Sequence, residues 1–427
     1  MWFCLLLASI CLEGLGRKFV PGVPQFAWYI SKDVLLLVGM ASFGLGRAEL
    51  AVGRKLFSPF FVVMAGAGLW TIFEMVNPAQ GSVPLALLGL RSYWLWWIAP
   101  FIVARALRRD SDFGTALSIL ALLALVVAVM AAIQFESPPD AWVNRYAWGE
   151  MGIAGVEETG RVRVSSTFAY LTGFTDFATL VVPLLLVGWL SERRRSRKTL
   201  YLLALGALGV TLPMSGARAP LVLIGCALVV IFWETGALST RRGWALLVLA
   251  VALAEAPKLL APESVKGTAS RFAGDDTRGR FLEGLQVLPP VALAFYQYPP
   301  LGIGTGMQQN ARFALGVRTT WDTELEIGRY LIELGPIGYL LVWTCRLGLC
   351  VALARAARAL RTARRREWAG LSVALAGLAV IGNFVFNHVF QALFFVMVGL
   401  ILRQCANIRS DLRRPLVESA HNAGGQG

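Results

Sequence analysis

The chain has 427 residues, 56% of them hydrophobic and only 15% charged, whereas soluble globular domains carry about 25% charged residues. A string of soluble domains is excluded by apolar runs such as 113–135, which holds no charge over the roughly 20 residues that cross a bilayer core. The formal net charge of +14 would point a soluble protein toward nucleic acid. Here the arginines fall between apolar segments, as the positive-inside rule describes, and no nucleic-acid partner is expected.

The length rule predicts about twelve spans, and so an all-α polytopic membrane protein. In chain order they are 2–15, 30–46, 56–76, 88–104, 113–135, 169–190, 199–214, 218–236, 243–260, 327–353, 369–386 and 388–404. Residues 2–12 lack a basic leading region and a small-residue cleavage site, so they read as a short first span rather than a cleaved signal peptide. The cysteines Cys4, Cys11, Cys226, Cys345, Cys350 and Cys405 lie in or beside apolar stretches without metal-site spacing, and neither disulfides nor a metal is expected.

Alternate loops collect the basic residues. One side takes Arg47, Arg54 and Lys55, then Arg105, Arg108 and Arg109, the 193–198 run, Arg241 and Arg242, the arginines of 355–366, and Arg403 to Arg414. That side is expected to be cytoplasmic, with both termini on it. The expected organisation is helices 1–5 in 1–135, an outer loop over 136–168, and helices 6–9 in 169–260. A large outer loop with the catalytic elements covers 261–326, helices 10–12 follow in 327–404, and a cytoplasmic tail at 405–427 reads as disordered.

Ionisable residues at membrane depth are costly and by default mark function. The outer half holds Glu13, Arg17, Lys18, Lys32, Asp33, Glu74 and Arg91, with Asn383, Asn387 and His388 between the last two spans. Lys18, Lys32 and Arg91 are also long enough to snorkel to an interface, and Asp33 stands beside Lys32 as its neutraliser. Arg218 differs. It sits in the turn Ser215-Gly216-Ala217-Arg218, and Pro220 favours the first turn of the following helix. Backbone N–H groups at a helix start, joined by a guanidinium, form an anion site.

The large loop begins with the polar stretch 271–281, which includes Arg278, Gly279 and Arg280, and a short helix is expected at 281–288. The run Tyr298-Pro299-Pro300-Leu301-Gly302-Ile303-Gly304-Thr305-Gly306 follows, and its glycines permit close backbone approach. Then come Glu324 and Glu326, and a span that opens through Glu333-Leu334-Gly335-Pro336-Ile337-Gly338. Glu326 and Arg329 are three residues apart and expected to pair on the flank of this helix.

In order and topology these elements resemble the O-antigen ligase and O-antigen polymerase superfamily of bacterial inner-membrane glycosyltransferases, best over 160–345. The segments Glu13-Gly14-Leu15-Gly16-Arg17-Lys18-Phe19 and Gly89-Leu90-Arg91-Ser92-Tyr93 are similar to elements of polymerase-type members. The resemblance implies a GT-C-like fold and a periplasmic active site in the inner membrane. It also implies an undecaprenyl-diphosphate-linked oligosaccharide donor and a glycan acceptor, either a lipid A core sugar or another lipid-linked repeat. No metal or other cofactor is implied, and other polysaccharide-assembly proteins are implied as partners. The diphosphate-neutralising arginines fall on Arg218 and Arg280, helped by Arg278 or by Arg163 in the 160–168 segment. Ligases carry a His-Asn pair before Glu-Leu-Gly; the matching position here is Glu324, and the chain's two histidines are His388 and His421. A polymerase of an O-antigen or exopolysaccharide is therefore expected over a strict ligase, with Glu324 first and Glu326 second as the base. A non-catalytic scaffold of a polysaccharide-synthesis complex and a lipid-linked glycan transporter stay open. The transporter reading predicts inverted repeats and midplane charges, and the charges here cluster toward one face.

Overall fold

A computed structural model describes residues 1–107, 109–147, 155–156, 160–236, 262–263, 265–266, 269, 298–321, 323 and 325–424. The span expected at 243–260 and the helix expected at 281–288 lie outside them, as do Glu324, Arg278 and Arg280.

The described chain is an all-α polytopic membrane protein. Seven of its helices are long and apolar enough to cross a bilayer, or eight if one bent pair counts as a single span. In chain order the helices are α1 (Trp2–Phe19), α2 (Gln25–Phe43), α3 (Arg47–Phe57), α4 (Phe61–Met75), α5 (Val83–Trp94), α6 (Ala99–Ala106) and α7 (Asp110–Glu136). A two-stranded ribbon pairs β1 (Gly155–Val156) with β2 (Arg161–Val162). There follow α8 (Leu171–Ser191), α9 (Arg195–Thr211), α10 (Ala219–Thr235), α11 (Ala311–Ala314), α12 (Glu326–Thr362), α13 (Arg366–Ile381) and α14 (His388–Gly424). The membrane part of α14 is the axis of the bundle, with 94% of its most apolar stretch buried. It packs against α6, α8, α3 and α12, while α13 sits between α12 and α10.

Several boundaries differ from the pattern in the sequence, each for a local reason. The span expected at 56–76 begins only at Phe61, because 47–57 forms its own helix at 95° to α4. Its apolar Val52, Leu56 and Phe57 share one face while Arg47, Arg54 and Lys55 take the other, a two-sided pattern that holds a helix along an interface. The span expected at 88–104 starts at Val83 and bends at the 3₁₀ turn Leu95–Ile98, where Pro100 opens α6. Residues 355–362, read as a loop, continue α12, so Arg355, Arg358 and Arg361 ride its last turns. The segment 382–387, read as the end of a span, is irregular between α13 and α14. The tail read as disordered from 405 continues the α14 backbone to Gly424; its Leu, Arg, Glu and Ala residues are good helix formers.

Arginines satisfy helix ends where water cannot. The last carbonyls of a helix have no partner inside it, and a bare carbonyl in an apolar setting costs several kcal/mol. Arg346, on α12, donates to the Ala379, Val380 and Gly382 carbonyls at 2.9, 2.8 and 2.6 Å and so closes α13. Arg105 does the same for Phe43 at the end of α2, and Arg403 for Leu107 just after α6.

Candidate functional site

The polar residues of one end of the bundle converge because glycines let backbones touch. α12 breaks at Gly335, whose φ of 66° only glycine adopts without strain. The 298–306 run docks against this break: Ile303 and Gly304 N–H donate to the Ile332 and Glu333 carbonyls at 2.9 and 3.1 Å. A methyl group on Gly335 would stand 2.4 Å from the Pro300 carbonyl oxygen, and one on Gly302 would stand 2.5 Å from that of Glu333. On the other side of the run, Gly306 meets Gly89 of α5, where a methyl group would lie 2.4 Å from the Gly306 nitrogen. The 298–306 run, the break in α12 and the distant α5 thus form one unit.

Glu333 is the centre of that unit and is fully buried. It accepts from the Gln308 N–H at 2.7 Å, from Arg329 Nε at 3.1 Å and from the Tyr93 hydroxyl at 2.9 Å. Arg329 therefore pairs four residues ahead with Glu333, not with Glu326 as its three-residue spacing suggested. Its Nη1 donates to the Val385 carbonyl at 2.9 Å, while Nη2 has no hydrogen-bond partner. Glu326 is drawn away by the 382–387 segment. Its two oxygens accept the N–H groups of Phe384, Val385 and Phe386, and the Tyr330 hydroxyl adds a fourth bond. A carboxylate so occupied is a clamp on the chain before α14, and this is where the structure places the second of the two expected bases.

A second cluster joins α1, α2 and α5. Lys32 pairs with Glu13, and Arg91 pairs with Asp33 at 2.6 Å. The expected neutralisation of Lys32 by adjacent Asp33 does not occur, because consecutive helical residues face different directions. Arg17 lies 3.6 Å from Glu13. The guanidinium carbons of Arg17 and Arg91 and Nζ of Lys32 stand 5.5, 4.4 and 5.0 Å from the centre of the Tyr29 ring, on which they are held by cation–π attraction.

Between the clusters is a cavity of about 160 Å³, lined by Glu13, Arg17, Tyr29, Tyr170, Arg329 and His388 among others. His388 opens α14 against the Tyr29 ring at 5.3 Å, and its Nδ1 makes no well-formed hydrogen bond, with the Gln391 side chain beside it. Asn387 caps α14 through its Oδ1, which accepts from Val389 N–H at 3.0 Å, and its Nδ2 donates to Asp176 at 2.5 Å.

The 160–170 segment ties this cavity to the expected anion turn. Phe168 to Tyr170 form part of the cavity wall. Lys18 Nζ donates to Ser165 Oγ at 2.8 Å and to the Ser166 carbonyl at 3.1 Å, and Gln134 accepts the N–H groups of Ser165 and Ser166 at 3.1 and 2.6 Å. Arg163 Nε donates to the Ser215 carbonyl at 3.0 Å. Gly216 takes the left-handed conformation (φ 63°), Arg218 follows, and Pro220 lies in the first turn of α10. The expected turn forms, and Arg163 and Arg218 are brought to it together. Two residues before Arg163, Arg161 meets Glu263 at 2.6 Å, and that hydrogen bond raises the Arg161 pKa above its ordinary value.

The sequence reading singled out neither Tyr29, Asp176 nor Arg346, and it assigned Tyr93 no role beyond its place in the 89–93 segment. Asp176 and Arg346 were visible as lone charges inside apolar spans, the signal for function or for a buried polar partner. Tyr29 and Tyr93 carry no such signal. Among the described residues, no three His, Cys, Asp or Glu side chains gather as metal ligands. No protein-family model matches the chain, and no curated protein does either.

Proposed function

We propose that the protein is a polyprenyl-diphosphate-dependent glycan polymerase, joining repeat units from an undecaprenyl-diphosphate-linked donor at the outer face of a bacterial inner membrane. The observation that carries this reading is the guanidinium-lined cavity at the polar end of a membrane bundle, where Arg17 and Arg329 meet His388 and two tyrosines. Arg17 and Arg329 are partly offset by Glu13 and Glu333, so the cavity suits the polar sugars of the donor, with its diphosphate toward the Arg163–Arg218 turn to which the 160–170 segment leads.

In this reading the acceptor hydroxyl attacks the anomeric carbon, the bond from that carbon to the diphosphate oxygen breaks, and the lipid diphosphate departs. Arg218, with Arg163 beside it and Arg280 and Arg278 from the large loop, stabilises the charge that develops on the leaving group. Glu324 takes the acceptor proton, and general bases contribute roughly 10²–10⁴-fold. Glu326 keeps the loop before α14 in place. No step uses a metal. Transfer to a lipid A core acceptor is the alternative within the same chemistry.

In this reading the chain makes twelve passes in a GT-C-like bundle: the seven long helices, the α3–α4 pair, the shorter α1, α10 and α13, and the span that the sequence predicts at 243–260. Both termini are then cytoplasmic, and the cavity opens to the periplasm.

The test is transfer by purified protein from a lipid-linked donor, followed by gel analysis of the product. Arg218→Ala and Arg280→Ala should each abolish polymer at unchanged protein level. Arg218→Lys should be impaired, because an ammonium lacks the two-pronged fork. Full activity in both alanine variants ends the proposal. Product on a lipid A core acceptor alone selects the ligase.

A further inference from the structure

The opposite, basic end of the bundle carries a different binding feature. α3 lies at 95° to α4 and packs its inner side on α12, α14 and α6. Its inward face buries Glu49, Val52, Gly53 and Phe57. Its outward face exposes Arg47, Ala51, Arg54, Lys55 and Ser58, at the spacing of one helical side. Glu49, the helix's one acid, faces inward next to the Arg105 guanidinium and does not offset the outward cations. Among the described residues Arg47, Arg54 and Lys55 have no carboxylate partner.

These cations line an open groove of about 700 Å³ whose other wall is Arg355 of α12. Arg355 is fixed there by the Leu56 and Ser58 carbonyls, which accept from its Nη1. The groove therefore has four cations, one of them immobilised, and no acid. Along α12, Val351 and Leu347 lie four and eight residues before Arg355, hence on its side of the helix, and both are exposed apolar side chains. Exposed apolar side chains of a membrane helix face acyl chains, so an anion held in the groove that also carries an apolar tail can lay it along this side of α12.

We propose that this groove is a site for an anionic phospholipid. Its phosphate is held by Arg47, Arg54, Lys55 and Arg355, and its acyl chains lie along Val351 and Leu347. Basic pockets between transmembrane helices recognise such headgroups. The site is independent of the cavity at the polar end and of the transferase reading.

The test is native mass spectrometry of the full-length, delipidated protein titrated with phosphatidylglycerol, with phosphatidylcholine, and with phosphatidylglycerol plus excess inorganic phosphate. The wild type should retain phosphatidylglycerol about ten-fold more than phosphatidylcholine, and phosphate should not displace it. The triple variant Arg47→Gln, Arg54→Gln, Lys55→Gln should lose about ten-fold of that retention with phosphatidylcholine binding unchanged. Arg54→Gln alone, at an exposed position, gives the same direction if the triple variant folds poorly. Leu347→Ser with Val351→Ser should also weaken retention. Undiminished retention in the cation variants overturns the proposal, and so does displacement by phosphate, which would make the groove a site for a soluble anion.

Discussion

The two ends of the bundle use the same residue types in opposite ways. At the basic end, arginines turn outward, close helix ends or pair near the surface: Arg105 and Arg403 bind terminal carbonyls, Arg358 and Arg54 are exposed, and Arg361 and Arg197 meet Glu234 and Glu192 at the bundle's edge. At the polar end, cations point inward and meet carboxylates: Arg329 with Glu333, Lys32 with Glu13, Arg91 with Asp33. The first arrangement sets orientation and neutralises backbone dipoles at little risk. The second stores charge where it is expensive to leave unpaired. A protein keeps such charges inside when the room between them has a use, and here that room is the cavity against Tyr29 and His388.

The contrast is broken most sharply by Arg329→Ala. It leaves Glu333 buried without its cation and should destabilise the protein by about 3–5 kcal/mol, read as a large drop in thermal midpoint in detergent. Arg358→Ala at the basic end should shift stability by no more than about 0.5 kcal/mol. Equal effects at the two ends would erase the distinction. Glu326→Gln comes next. It turns one acceptor oxygen toward the 384–386 amides into a donor, and buried hydrogen bonds to charged groups are worth about 1.5–3 kcal/mol. Proteolysis near 382–387 should accelerate, and an unchanged cleavage rate would mean the clamp is not needed. Gly335→Ala should cost ~1–3 kcal/mol from its backbone conformation alone. The variant should also lose transfer activity, because the 298–306 run could no longer seat. Retained activity would show that the run need not dock there.

The smallest effect belongs to Glu192, between α8 and α9. Burial alone would raise its pKa, but the Arg194 and Arg193 N–H groups and the Arg197 guanidinium outweigh that and hold it below the usual carboxylate value. A carboxylate lowered in the folded state stabilises above its unfolded pKa, and the benefit fades as pH falls through the folded one. Glu192→Gln should therefore cost less than about 1 kcal/mol at neutral pH. The gap from wild type should close in acid, and a gap that widens there contradicts this assignment.

Much of the fold was legible because a bilayer enforces a length and a composition. The uncharged run in 113–135 became α7, and Ser137-Pro138-Pro139 ends it. The glycines of 302–306 were legible as points of close approach, and the turn at 215–220 as a helix start. Pairing was not legible. Asp33 chose Arg91 over its neighbour, and Glu326 chose three backbone amides over Arg329. Neither choice leaves a local trace, because each partner arrives from a segment far along the chain.

Amino-acid order by itself determined that this is a membrane protein of many helices, with its short basic segments at one end and its glycine-rich elements at the other. Hydrophobicity over about 20 residues and the sign of short loops are local quantities, readable without a structure. Which carboxylate meets which guanidinium, and that His388 closes the cavity beside Tyr29, were decided only by the packing of distant helices. Inside a low-dielectric bundle a charge takes whatever partner the fold brings within reach.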